Sequence, residues 1–139
     1  MKLLASLFLV ATTFSAFAGD VPADSFTGHY ELAKKSKSAF SLDVLQDGKT
    51  AKISFSAGNE SGSGAAPDGD GDGKLNDKGE LEVHWTDSFE NDGTAVLKHS
   101  GKLVVFAMKP GKVSDPRALS FYGNVSLKRT SAKPEMSNR

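Results

Sequence analysis

The sequence predicts an all-β protein, a small antiparallel β-barrel or β-sandwich of about seven strands. Apolar and polar residues alternate with a period of two in most of the chain after residue 25, and turn-forming residues separate these segments. No stretch keeps the 3.6-residue period of a helix. The range 59–80 is the exception to the alternation, and we expect it to form one long Asp/Gly-rich loop, because it holds six of the 14 glycines.

The first two strands after the leader are followed by the strongest turn signal in the chain. The range 26–32 predicts a half-buried strand, with Tyr30 on its apolar face. Asp47-Gly48 predicts a two-residue hairpin turn, since glycine tolerates the positive φ that a type I′ turn requires. Folding the chain about this turn places the apolar residues on one face, in the pairs Val44–Ala51, Leu42–Ile53 and Phe40–Phe55, and places Asp43 opposite Lys52.

Four more strands follow the Asp/Gly-rich range. The range 81–86 alternates about Trp85, and 94–99 and 102–108 form a second hairpin at Ser100-Gly101. A last strand is expected at 119–127, with Phe121 on its apolar face, and a flexible tail at 130–139.

Two short sites are similar to those of lipocalins. Gly28-x-Tyr30 on the first strand resembles the Gly-x-Trp that opens that family, with Tyr in place of Trp, and Arg129 resembles its closing Arg. This resemblance, limited to these two sites, favours an up-and-down barrel over a sandwich.

The first 18 residues indicate a cleaved export signal. Lys2 is followed by a short apolar run and by Ala16-Phe17-Ala18, the small-x-small pattern that signal peptidase recognises. The run is too short for a stable membrane anchor. Residues 19–139 then form a single β domain, which we expect in the periplasm or secreted.

The composition excludes several functional classes. Lys and Arg together number 17, as do Asp and Glu, so the chain lacks the basic excess typical of nucleic-acid binding. It has no Cys, so disulfides are excluded, and its three His residues show no zinc-ligand spacing. No nucleophile, base or tuned carboxylate pair is visible, so we do not expect an enzyme.

A calcium site is one hypothesis for the Asp/Gly-rich range. Asp68, Asp70 and Asp72, followed by Gly73 and Leu75, resemble the first positions of an EF-hand-type loop. Calcium prefers six to eight hard oxygen ligands, which alternate carboxylates supply when a glycine turns the chain sharply. The remaining candidate ligands are the Lys74 carbonyl, Asn76 and Glu80, which stands one residue later than the closing glutamate of the motif.

Two functional hypotheses remain open. The first is a binding protein for a small apolar or amphipathic molecule, held in a cavity near Tyr30, Phe55, Trp85 and Phe121. The second is a protein-interaction module acting through loop 59–80 on another secreted protein. Its export signal, small β body and long loop are similar to those of periplasmic lysozyme inhibitors. The Ser-Gly-x-x-Tyr motif of one such family is absent, since Thr27-Gly28-His29-Tyr30 is one residue shorter.

Overall fold

Eight antiparallel strands form a closed up-and-down barrel in the computed structural model, which describes residues 25–136. Each strand pairs with its neighbours in sequence, and β1 also pairs with β8 to close the barrel. The strands are β1 Gly28–Leu32, β2 Ser38–Asp47, β3 Thr50–Asn59, β4 Asp68–Leu75, β5 Leu81–Asp87, β6 Asp92–Ser100, β7 Leu103–Pro110 and β8 Asn124–Ser131. The predicted all-β barrel is confirmed, with eight strands instead of about seven.

The additional strand is β4, and it lies inside the range that was predicted to be one long loop. That prediction is wrong for Asp68–Leu75, which pairs with both β3 and β5. Its period-two pattern is aspartate outward and glycine inward, so the apolar signal that usually marks a strand is missing. Gly69 and Gly71 leave space on the inner face that the Phe55 ring and the β5 backbone fill. Tertiary packing therefore overrides the low strand propensity of Gly and Asp.

Both predicted hairpins form, but the register of each differs from the prediction. The first turn is made by Gly48 and Lys49, so Asp47 pairs with Thr50, Val44 with Ile53 and Phe40 with Ala57. Gly48 has φ +61° at the first linking position, where a type II′ turn places glycine. The second turn likewise uses Gly101 and Lys102. Because the pairing shifts by two residues, the apolar face is the predicted one.

The segment before β8 also differs from its prediction. Residues Pro116–Phe121 form a 3₁₀ helix and not the start of the last strand, because Pro116 stands at its first turn and the Asp115 side chain caps it. β8 begins at Asn124 and continues to Ser131, two residues into the predicted tail. The predicted signal at 1–18 lies outside the described residues, as do residues 137–139 of the tail.

Large side chains fill the interior of the barrel. The largest of the fully buried side chains are Trp85, Tyr30, Phe26, Phe55 and Phe106. Phe26 closes one end, where its ring stacks on His99 with 4.2 Å between ring centroids. We call this the Phe26 end, and we call the opposite end, which holds the β1–β2, β3–β4, β5–β6 and β7–β8 connections, the loop end.

Candidate functional site

Three of the four predicted ligand-binding residues meet in the interior. Tyr30, Phe55 and Trp85 are 1%, 2% and 1% exposed, and the Phe55 and Trp85 rings pack edge to face at 5.8 Å. The fourth, Phe121, is half-buried on the 3₁₀ helix and packs against the edge of this core. The side chains of the first three therefore pack in the core of the barrel, whereas Phe121 remains partly exposed to solvent.

The two sites that carry the lipocalin resemblance contact each other, although they lie 99 residues apart in sequence. The Arg129 guanidinium donates to the Tyr30 hydroxyl at 3.0 Å and to the Ser25 carbonyl at 2.7 Å, and it lies 5.5 Å from the centre of the Tyr30 ring. Burial raises the pKa of Tyr30, although Arg129 opposes this shift. Gly28 has φ +151°, and a side chain there would meet Ser131 and Arg129. The contact between Tyr30 and Arg129 joins β1 to β8 near the Phe26 end.

At the loop end, a polar network holds the β5–β6 and β7–β8 connections together. Tyr122 covers Phe55 and Trp85, and its hydroxyl donates to the Asp87 carboxylate. Burial, the hydrogen bond to Asp87 and the Asp87 charge raise the pKa of Tyr122 far above its usual range. Asn91 bridges Asp87 to the backbone of the β7–β8 connection. The sequence does not reveal this network, because its partners lie up to 35 residues apart.

The predicted calcium ligands are not gathered about one point. Asp68, Asp70 and Asp72 point outward along β4, where alternate residues stand about 6.6–6.8 Å apart. Ser56 donates to Asp68 at 2.7 Å, and Lys52 pairs with Asp72 at 2.7 Å.

The other predicted ligands lie at or beyond the end of β4. Asn76 and Glu80 belong to the β4–β5 turn, where the side-chain oxygen Oδ1 of Asn76 accepts a hydrogen bond from the Glu80 N–H at 2.9 Å. Lys74 precedes this turn on β4. Among residues 25–136, no group of three or more His, Asp or Glu side chains is placed to hold a metal ion. Calcium binding stays a prediction, but the turning loop on which that prediction was based is not present, because the three aspartates lie on a strand.

The wall of the barrel has a gap at the loop end, because β1 is short. β1 has five residues, whereas β2 has ten and β8 has eight. Its pairing ends at Glu31 opposite Ser41 on one side and at Leu32 opposite Leu127 on the other. The first residues of β2 and β8 extend beyond this point, and only the Ala33 N–H, which donates to Ser126 at 3.0 Å, continues the ladder. The gap is therefore bordered by β2, by β8 and by the β1–β2 connection.

A cleft of about 560 Å³ occupies this gap, and we call it the side cleft. Its volume lies within the 300–1,000 Å³ typical of small-molecule sites. Its apolar lining includes Leu32, Phe40, Phe121 and Val125, and its polar lining is Lys34, Ser36, Ser38, Ser120, Asn124 and Ser126. Three of the five partly buried apolar residues that pack against the core, Leu32, Phe121 and Val125, lie here. Apolar surface is therefore left accessible beside the filled interior.

Two other grooves on the barrel differ in their lining. A groove of about 760 Å³ crosses the outer wall from β3 to β6, but Lys52, Asp72, Lys74, Glu82 and His84 line it, and its members Ala51, Val83 and Ala95 point inward. A second, of about 520 Å³, is lined by four acidic residues, with His29 and Lys52 among its polar members. The first groove has one half-buried apolar side chain, Val96, and the second has one, Met136, whereas the side cleft has three in Leu32, Phe121 and Val125.

The second of these grooves contains a partly buried His–Asp pair. His29 Nδ1 lies 2.7 Å from Asp43 Oδ1, which also accepts the Glu135 N–H at 2.7 Å. Burial alone would lower the pKa of His29, but the hydrogen bond to Asp43 and the charges of Asp43, Glu135 and Glu31 raise it above its ordinary value. The folded state therefore favours the imidazolium.

This pair predicts a pH dependence of stability. The folded-state pKa of His29 is raised, so its contribution is complete below pH 6.5 and is lost as the pH rises through the folded pKa. We expect the free energy of unfolding, measured by urea titration across this range, to fall with rising pH. His29→Gln should remove this slope, and His84→Gln, at an exposed histidine of β5, should keep it. An unchanged slope in His29→Gln would contradict the assignment.

Within residues 25–136, no helix has the length and apolar character needed to span a membrane. Comparison of the chain with family models, with curated proteins and with solved structures finds no match. The interpretation of the site therefore rests on its geometry and chemistry.

Proposed function

We propose that the protein is a non-enzymatic binding protein that holds a small apolar or amphipathic molecule in the side cleft. The observation that supports this proposal is the accessible apolar lining of Leu32, Phe121 and Val125 at a gap in an otherwise filled barrel. Burying such surface against a ligand is favourable by about 25 cal/mol per Å². Together with the export signal expected at 1–18, this describes a carrier or binding protein of the periplasm or the extracellular space.

The site differs from the one expected in the barrel interior. Of the predicted ligand residues, Phe121 lines the side cleft, whereas Tyr30 and Trp85 are interior packing residues. Phe55 does not line the cleft, but its ring stacks at 5.9 Å between centroids against Phe40, which does. The ligand would thus lie against the outside of the aromatic core.

The lining of the side cleft supports binding and not catalysis. Its serines are accompanied by no His, Asp or Glu among the described lining residues, so a serine nucleophile activated by a histidine and a carboxylate is absent there. A protein-interaction function through loop 59–80 has less support, because β4 occupies 68–75. In the part that remains, the Glu60 N–H donates to the Lys37 carbonyl and the Ala57 N–H to the Pro67 carbonyl.

A neutral apolar fluorophore, N-phenyl-1-naphthylamine, tests the proposal. We expect saturable binding to the wild-type protein, and about tenfold weaker binding to Phe121→Ala, because that change removes apolar contact worth about 1.4 kcal/mol. Phe89→Ala is the matched control, since Phe89 is also half-buried at the loop end but contacts Arg117 and does not line the side cleft. It should bind as the wild type does.

Either of two results would contradict the proposal. One is the absence of saturable binding to the wild-type protein, provided that its circular dichroism shows a folded barrel. The other is equal weakening by Phe121→Ala and Phe89→Ala, which would indicate a general loosening of the loop end.

A further inference from the structure

We infer that the ligand of the side cleft is an amphiphile with an acidic head group, which pairs with Lys34 while its hydrocarbon chain lies on the apolar lining. This inference rests on the proposed function and narrows it to one chemical class. Among residues 25–136, Lys34 is the only ionisable residue that lines the side cleft. A ligand with a single negative charge therefore meets one positive charge and no competing carboxylate.

The charge of the surrounding segment supports this assignment. The β1–β2 connection carries Lys34, Lys35 and Lys37 and no acidic residue, although the whole chain has a formal net charge of zero. All three lysines are exposed, and within residues 25–136 none of them forms a salt bridge. The nearby acids Glu31 and Glu60 do not line the side cleft but a neighbouring one, which shares Leu32, Lys34 and Phe40 with it. The positive potential at the rim of the side cleft is therefore not neutralised within it.

The polar residues of the rim complete an arrangement suited to an acidic head group. Ser36, Ser38, Ser120 and Asn124 supply hydroxyl and amide donors beside Lys34. A carboxylate accepts several such hydrogen bonds, and those to charged groups are about twice as strong as neutral ones. Below them, Leu32 and Phe121 offer the apolar surface that a hydrocarbon chain needs. Polar and apolar parts of the lining thus match the two ends of one small molecule.

Decanoate, 1-decanol and decylamine, which share one chain and differ in head group, separate the contributions. We expect the wild-type protein, measured by displacement of N-phenyl-1-naphthylamine, to bind decanoate about tenfold more tightly than decanol and to bind decylamine most weakly. Decyl sulfate and decyl phosphate, added as further arms, show which acid is preferred. The preference for decanoate over decanol should decrease as the salt concentration rises.

Lys34→Met and its matched control Lys35→Met locate the charge that is responsible. Lys35 is an exposed neighbour that lines the neighbouring cleft but not the side cleft, whereas Lys34 lines both. Lys34→Met should bind decanol as the wild type does and should lose the preference for decanoate, whereas Lys35→Met should keep it.

The outcomes distinguish the inference from the function on which it rests. Equal affinity of the wild type for decanoate and decanol, or an undiminished preference in Lys34→Met, would overturn the acidic head group and leave the binding function standing. Failure of the fluorophore and of all the decyl compounds to bind would overturn the function itself.

Discussion

Gly71→Ala is expected to destabilise the barrel by about 3 kcal/mol, near the upper end of what overpacking costs. A Cβ atom at Gly71 would lie far inside van der Waals contact with the carbonyl oxygen of His84 and close to the backbone of Trp85. These are backbone atoms of β5, so the clash cannot be relieved by rotating a side chain. The loss is a large share of the 5–15 kcal/mol that stabilises a typical domain.

Gly58→Ala provides a matched control for this substitution. Gly58 also lies in a strand, but a Cβ atom there would meet only Ala66, at an ordinary distance of 3.6 Å. We expect a change within about 1 kcal/mol, with either sign, because alanine loses less backbone entropy than glycine on folding. Urea unfolding of both variants gives the comparison. Equal midpoints for Gly71→Ala and Gly58→Ala would show that β4 does not pack against β5 as described.

Asn91→Ala is expected to cost about 3–5 kcal/mol, because it leaves several buried polar groups without partners. The Asn91 side chain is 1% exposed. Its carbonyl oxygen accepts the N–H groups of Ser114 and Asp115 at 2.7 and 2.9 Å, and its amide donates to Asp87 and to the Asp115 carbonyl. One substitution therefore releases the contact between the β5–β6 and the β7–β8 connections.

Hydrogen exchange gives the second measurement for this variant. We expect the amides of Ser114 and Asp115 to lose protection in Asn91→Ala, while those of the β2–β3 hairpin keep theirs relative to global stability. Asn124→Ala, at an exposed asparagine, should change stability by less than about 0.5 kcal/mol. Retained protection at Ser114 and Asp115 would show that other contacts hold the β7–β8 connection.

The sequence predicted those strands whose inward residues are apolar. For β5, the alternation about Trp85 is plain, and Trp85 is buried as expected. β7 is apolar on both faces from Leu103 to Met108, and its buried face is the one with Val104, Phe106 and Met108. The sequence does not predict β4, because its inward residues are Gly69, Gly71 and Gly73, which contribute no apolar side chains to the alternation. Their role depends on the neighbouring Phe55 and Leu81 side chains, which reach into the same space only after the strands pair.

The hairpin registers illustrate a limit of turn chemistry. A glycine at the second linking position predicts a type I′ turn, and a glycine at the first predicts type II′. Asp47-Gly48-Lys49 and Ser100-Gly101-Lys102 are compatible with either, and the structure places glycine first in both. A change of turn type shifts every cross-strand pair by two residues but leaves the same residues on the buried face, so the predicted core residues are still the buried ones.

The candidate site could be predicted only in part. The sequence predicts Phe121 as an apolar residue near the ligand but on a strand, whereas it lies on the capped 3₁₀ helix and lines the side cleft. The gap itself follows from the difference in length between β1 and its two neighbours. Such a mismatch requires the pairing of residues about 100 positions apart, which local patterns do not contain.

Pairing β1 with β8 also governs when the barrel can be completed. Until its last strand, Asn124–Ser131, pairs with β1, a newly synthesised chain can form only an open sheet with two unprotected edges. Contacts so distant in sequence form slowly, and open edges can recruit other chains in the meantime. Arg129 lies on this final strand and donates to the Tyr30 hydroxyl on β1. Pairing of β8 with β1 therefore removes both open edges and also forms the side-chain contact that joins these two strands.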